Sequence, residues 1–134
     1  MKTLQEMIEE AKLANACSNN IELVSKYSTI EEASEDPDAP FWCYWYADRV
    51  VGGRVPELEY IIAKELQFSY NYAVHILKGR FIEGEEIIKT SPISIYYYAC
   101  YVIKERWPEV EHILKESACW NYYVDKLIFK NRKE

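Results

Sequence analysis

A chain of 134 residues that is 49% hydrophobic is long enough for one domain with a real core and too short for two. No run approaches the roughly 18 consecutive apolar residues of a membrane span, and the opening MKTLQEMIEEAK is too acidic and too amphipathic for a secretory signal. The net charge of −6 lies wholly in residues 1–40, which hold nine acidic and three basic side chains. Residues 41–134 hold 13 of each, so the basic footprint of a non-specific nucleic-acid binder is missing.

In chain order, Thr3 and Glu6 form a capping box for a first helix that carries Leu4, Met7, Ile8 and Ala11 on one side. Residues 20–35 look like an eroded copy of the units after residue 40, with Ser28 at a position that is arginine elsewhere. The expectation is an acidic, polar-faced helical cap over 1–35, as open stacks need. SEDPDAP is the loop into a repeat region over 36–134, and cap and repeats form one domain overall.

Arg54, Arg80, Arg106 and Arg132 recur at a spacing of 26 residues. On that period Tyr44 lies over Tyr70, Tyr96 and Tyr122, and Tyr46 over Tyr72, Tyr98 and Val124, beside Ala47, Ala73 and Ala99. Val50, Ile76, Val102 and Ile128 align downstream, as do Glu57, Glu83 and Glu109, then Glu59, Glu85 and Glu111. Self-similarity at this period is the signature of stacked supersecondary units, about three and a half of them here.

Each unit reads as two short helices. Phe68, Tyr72 and Ile76 share one helical row and Tyr70, Ala73 and Leu77 the next, the spacing of an apolar face. Gly53, Gly79, Glu105 and Asn131 mark the end of the first helix, where a left-handed residue is favoured, with Glu105 the strained exception. The Pro56, Ile82 and Pro108 position opens the second helix, and a following glutamate suits its positive end. Ser91 and Pro92 read as N-cap and first turn of the next long helix, with Pro40 at the matching place. The last unit stops after its first helix and ends in the tail KNRKE. The fold class is therefore all-α, a small α-solenoid of two-helix repeats with an N-terminal helical cap.

Catalytic and metal-binding signals are weak. Cys17, Cys43, Cys100 and Cys119 form no CxxC pair and read as reduced thiols. His75 and His112 lie in different units with no partner at ligand or triad spacing. The glycines match no phosphate loop. Glu83, Glu85 and Glu86 belong to the repeat and read as a solvated or arginine-paired face. No enzyme and no cofactor is expected.

Residues repeated within one chain describe the stacking unit first. Each arginine can bond helix-end carbonyls and the carboxylates three and five residues later. The ladder so expected comprises Arg54, Arg80, Arg106 and Arg132, with Glu57, Glu83 and Glu109 as acids, and Tyr44, Tyr70 and Tyr96 as rings between adjacent first helices. The alternative is an exposed Arg and Tyr row that recognises phosphate or a partner carboxylate. One copy stands apart: PFWCYWYADR brings Phe41, Trp42 and Trp45 beside the acidic Glu35, Asp36 and Asp38. Large rings next to a charged rim suit a protein-binding hot spot; the other reading, and the favoured one, is that Trp42 and Trp45 dock the N-terminal cap. Trp107 and Trp120 are expected to pack between the last units.

The words YWYADRVVGGRVPELEYII, YNYAVHILKGRFIEGEEII and YYYACYVIKERWPEVEHIL resemble an uncharacterised tandem helical repeat of tailed-bacteriophage and prophage proteins over about residues 41–132. Departures from the pattern are Ile82 for proline, Glu105 for glycine, Gly84 inside a helix and a divergent last copy. The resemblance implies a phage-encoded protein of the bacterial cytoplasm. Combined with the repeat surface, it gives the expected function: a non-catalytic protein-binding module, an accessory or anti-defence protein that binds and blocks a host protein. The alternatives are an acidic nucleic-acid mimic or nucleic-acid binder, and a self-assembling phage component. Direct nucleic-acid binding and membrane association are not expected; a homodimer through the open C-terminal repeat is plausible on symmetry grounds.

Overall fold

The structure, a computed structural model, describes residues 2–129. Among them every regular element is helical, and no helix is long and apolar enough to cross a membrane. Helix α1 (Leu4–Leu13) starts at Thr3, whose hydroxyl accepts the Glu6 N–H while the Glu6 carboxylate accepts the Thr3 N–H, the expected capping box. Helices α2 (Ser18–Val24) and α3 (Ile30–Ala33) complete the N-terminal segment. Leu4, Ile8 and Ala33 form a small core of their own there, and Met7 reaches the main core, which runs without a break to Leu127.

The first helices of the four units are α4 (Ala39–Trp45), α6 (Leu66–Asn71), α8 (Pro92–Tyr98) and α10 (Trp120–Tyr123). Each runs on into a π-helical segment: Tyr46–Val51, Tyr72–Leu77, Ala99–Ile103 and Val124–Phe129. Such segments usually occur as single turns inserted in a helix; here one recurs in every unit. The second helices are α5 (Glu59–Ile62), α7 (Ile82–Ile88) and α9 (Glu111–Leu114), with Pro56 and Pro108 each opening a 3₁₀ turn ahead of α5 and α9. Successive units pack in chain order, so the sequence period becomes a stack.

The wide turn moves the helix end. Lys104 and Gly52 donate N–H to the carbonyls of Ala99 and Ala47 at 2.7 and 2.8 Å, and Lys78 bonds Ala73 likewise. The left-handed residues are consequently Gly52, Lys78 and Lys104, with φ of 70°, 53° and 64°. They fall one place before the expected Gly53, Gly79 and Glu105, and Asn131 lies outside the described residues. Strain sits on Lys104, not on Glu105. Lys104→Gly should therefore raise stability by about 0.5–1 kcal/mol, the left-handed penalty of an L side chain less the extra chain entropy of glycine. A urea titration checks this; an unchanged or lower midpoint contradicts the assignment.

The fourth copy departs from a strict 26-residue register. One residue fewer separates Leu114 from Tyr123 than separates the aligned Ile88 from Tyr98, so Tyr123, not Val124, takes the place of Tyr98. Tyr98 and Tyr123 are both fully buried, Val102 and Leu127 at the next shared position are buried, and Tyr122 points outward. The expected alignment of Tyr122 with Tyr96 and of Ile128 with Val102 is corrected accordingly.

Candidate functional site

A relay of four groups repeats down one side of the stack. In the second unit the Arg80 guanidinium donates twice to Glu85, through Nε and an Nη atom, both at 2.8 Å. The Tyr98 hydroxyl of the next unit donates to the same carboxylate at 2.7 Å and accepts the Phe81 backbone N–H at 2.8 Å. Arg54, Glu59, Tyr72 and the Val55 N–H repeat this geometry, as do Arg106, Glu111, Tyr123 and the Trp107 N–H. Each relay ties one helical pair to the first helix of the following unit. Bidentate, charge-assisted bonds of this kind are among the strongest available to a protein.

The acids of the relay are thus Glu59, Glu85 and Glu111, five residues after each arginine, and all three are buried. Glu57, Glu83 and Glu109, expected as the ladder acids, are exposed and make no bond to the arginine of their own unit among the described residues. Glu109 instead approaches Arg80 of the preceding unit at 3.8 Å and accepts the Trp107 indole N–H at 2.7 Å. The tyrosines that reach the relay are Tyr72, Tyr98 and Tyr123. Tyr44, Tyr70 and Tyr96 lie half-buried against the core, and Tyr44 and Tyr96 meet rings of the next unit, Tyr44 against Phe68 at 5.8 Å and Tyr96 against Tyr122 at 6.4 Å. Arg132 lies outside the described residues.

The cap imitates the relay with different residues. Tyr46 donates to Glu10 of α1 at 2.7 Å, and Lys2 bonds the same carboxylate at 2.7 Å, so Glu10 and Lys2 stand where later units use Glu and Arg. No period in the sequence marks this substitution.

The relay's titration has two arms. Hydrogen bonds from Arg106 are the main reason the Glu111 carboxyl lies below its ordinary value, with burial opposing and Tyr123 adding to the shift. Burial, followed by donation to Glu111, pushes the Tyr123 phenol up to about 12. A lowered carboxyl contributes stability above the ordinary carboxylate range that is lost as pH falls below it; a raised phenol contributes stability below its ordinary value that is lost as pH rises towards its folded value. The urea midpoint should therefore be flat near neutrality and fall both in acid and between pH 10.0 and about 12. Tyr123→Phe should flatten the alkaline arm; an unchanged arm contradicts this role.

The first-unit aromatic cluster divides in two. Trp42 is half-buried; its indole N–H donates to Asn20 of α2 at 3.3 Å and its ring lies 6.5 Å from Tyr27, so it docks the cap. Phe41 packs on Phe68 at 5.7 Å and, with Trp42 and Trp45, lines a cavity of about 150 Å³ against α1 and α2. Asp36 accepts the Tyr27 hydroxyl at 2.6 Å and the Asp38 N–H at 2.8 Å, which fixes the loop; Glu35 and Asp38 are exposed. Part of the acidic head is thus committed to internal bonds, Asp36 to Tyr27, Glu10 to Lys2 and Tyr46, and Glu9 to Lys12 at 3.0 Å.

A second aromatic surface lies on the third unit. Ile93, Tyr97 and Tyr101 fall on one row of α8 and its extension, with exposures of 54%, 42% and 53%. The Tyr97 and Tyr101 rings stack 6.0 Å apart at 18° between planes, and Tyr96 meets Tyr97 at 5.2 Å. Leu66, Gln67 and Tyr70 of α6 face this row across an open groove. Burial raises the Tyr70 phenol, and Tyr101, Cys100 and Tyr97 add to it. The signal was present in the sequence: the equivalent row is Gln67, Asn71 and His75 in the second unit and Phe41, Trp45 and Arg49 in the first. Of these three copies only the third is apolar or aromatic at all three places. Trp107, by contrast, packs at a tilt on Tyr98 at 5.1 Å, and Trp120 stacks on Tyr123 at 5.5 Å.

Among the described residues no group of His, Cys, Asp and Glu is placed to hold a metal ion, and every buried side-chain polar atom has a hydrogen-bond partner. No family model, curated protein or solved structure matches the chain.

Proposed function

We propose that the chain is a non-catalytic protein-binding repeat module whose principal contact surface is the exposed row Ile93, Tyr97 and Tyr101. The observation that carries this reading is the exposure of two stacked tyrosines and an isoleucine on one helical row, side by side with an open groove. Contiguous exposed apolar rings are unusual on a soluble surface and are the residue types that dominate binding hot spots. Tyrosine loses little conformational entropy on contact and retains a hydroxyl for directional bonding. The relay beneath holds the row in a defined position, since Tyr98, between Tyr97 and Ala99, is locked to Glu85. The resemblance of the repeat words to phage proteins supplies the setting: an accessory or anti-defence protein that engages a host protein in the bacterial cytoplasm and blocks it.

Affinity capture from bacterial lysate tests this, comparing the wild-type chain with Tyr97→Ser/Tyr101→Ser and with Trp45→Ala. The expected result is a specific protein retained by the wild type and by Trp45→Ala and lost from the double variant. Retention unaffected by the double variant, or no retention over a range of salt, would overturn the reading.

A further inference from the structure

We infer, resting on the binding-module reading above, that the groove between α6 and α8 takes a short, uncharged, proline-rich segment of the partner in the polyproline II conformation. Leu66, Gln67 and Tyr70 form one wall, Ile93, Tyr97 and Tyr101 the other, and Ser94 completes a groove of about 460 Å³.

Charge selects the ligand first. None of the groove's side chains is charged, so a phosphate, carboxylate or ammonium group entering it would lose hydration without meeting an opposite charge. A neutral segment suffers no such penalty. Base stacking of single-stranded nucleic acid is disfavoured for the same reason, because stacking platforms work together with a basic groove.

Backbone chemistry selects further. A β-strand partner needs a sheet edge, and there is no strand among the described residues. A polyproline II segment needs none. Proline brings no N–H that must find an acceptor, and the carbonyls of this conformation have no internal partner. The lining includes hydroxyls able to donate to those carbonyls, on Tyr70, Ser94, Tyr97 and Tyr101, while the Gln67 amide already donates to Asn71 at 3.0 Å. The tyrosine faces supply flat apolar surface for pyrrolidine rings. Because the ligand is stiff before it binds, a shallow groove can hold it at small entropic cost.

Dimensions agree. From Ile93 to Tyr101 the wall runs about 12 Å at the rise of a helix, the length of about four polyproline II residues at about 3.1 Å each. The core motif is therefore of the Pro-x-x-Pro size.

The test is a titration of the full ¹⁵N-labelled chain with a neutral synthetic peptide, acetyl-Ala-Pro-Leu-Pro-Pro-Leu-Pro-amide, followed by amide chemical shifts. The expected result is saturable shifts concentrated in residues 66–71 and 93–101, with micromolar affinity, weakened at least about tenfold in Tyr97→Ser/Tyr101→Ser without change in the melting midpoint. Three results would overturn the inference: no saturable shift at millimolar peptide, equal binding by the same peptide with alanine for proline or by an arginine-rich peptide, or shifts that follow protein concentration alone, which would assign the groove to a second copy of the chain. Failure here with lysate capture still lost in the double variant removes the proline-rich ligand and leaves the binding module standing. Capture that survives the double variant removes the module reading itself.

Discussion

Glu85→Ala should lower the stability of the chain by about 3–5 kcal/mol, a large share of the total for a domain of this size. Glu85 is 4% exposed and accepts both Arg80 bonds and the Tyr98 hydroxyl. Removing it leaves a guanidinium without its counter-charge and a buried phenol without an acceptor, and it removes the polar tie between the second unit and the third. The loss corresponds to a fall in melting temperature of about 10–20 °C. Glu83→Ala, two residues away on the same short helix, should lower the midpoint only slightly, because Glu83 is exposed and makes no bond to Arg80, and only its place in the first turn of α7 is lost. Thermal unfolding of the two variants beside the wild type checks both statements, and similar losses from the two would contradict the relay geometry. Glu85→Gln should lie between them, since an amide keeps one acceptor for Tyr98 but cannot neutralise Arg80.

Gly84→Leu is the second large effect, and its sign is opposite to what the repeat suggests. The aligned residues in the neighbouring units are Leu58 and Val110, so leucine looks like a return to the pattern. Yet a Cβ on Gly84 would lie 2.5 Å from Cδ2 of Phe81 and 2.9 Å from Cβ of Ser69. The Phe81 ring, packed on Tyr72 at 4.9 Å, already occupies the space that Leu58 fills in the first unit. Overpacking of this kind costs about 3 kcal/mol or more where the neighbours are themselves buried. Adding Phe81→Val, which recreates the Val55 and Leu58 pair, should recover part of the loss, as expected for two residues that share one volume, while the contact with Ser69 remains. Urea unfolding of the single and double variants decides it; a neutral Gly84→Leu, or a double variant no better than the single, would show that the ring yields freely.

These two sites also mark what could be read from the residues and what could not. The 26-residue period, the two-helix unit, the capping box and the proline starts follow from local rules, and local rules are written in short stretches of sequence. The arginine series named the relay, but two glutamates at fixed offsets compete for each arginine, and only the turn between the helices decides that the one five residues on is turned inward. The wide turn before each helix end shifts the left-handed residue to Lys78 and Lys104, because residue type alone does not reveal a change from an α to a π register. The residue missing between Leu114 and Tyr123 hid Tyr123 for a related reason: a strict period cannot absorb a deletion. Lys2 and Glu10 were out of reach, since they replace the relay through space from an unrelated helix. Of the candidate binding surface, the aromatic surplus of the first unit was visible, whereas Trp42 proves to face the cap through Asn20 and Tyr27. The row Ile93, Tyr97 and Tyr101 was visible in principle at the places where the copies differ.

Frame and face are separate: the Arg–Glu–Tyr relays tie successive units together, and the tyrosine row on the third unit is the surface proposed to bind a partner. The most direct measurement takes Tyr97→Ser/Tyr101→Ser and records its melting midpoint and its partner retention on the same preparation. The account predicts a midpoint close to that of the wild type together with retention reduced at least about tenfold. A strongly lowered midpoint, or retention equal to the wild type, would contradict it.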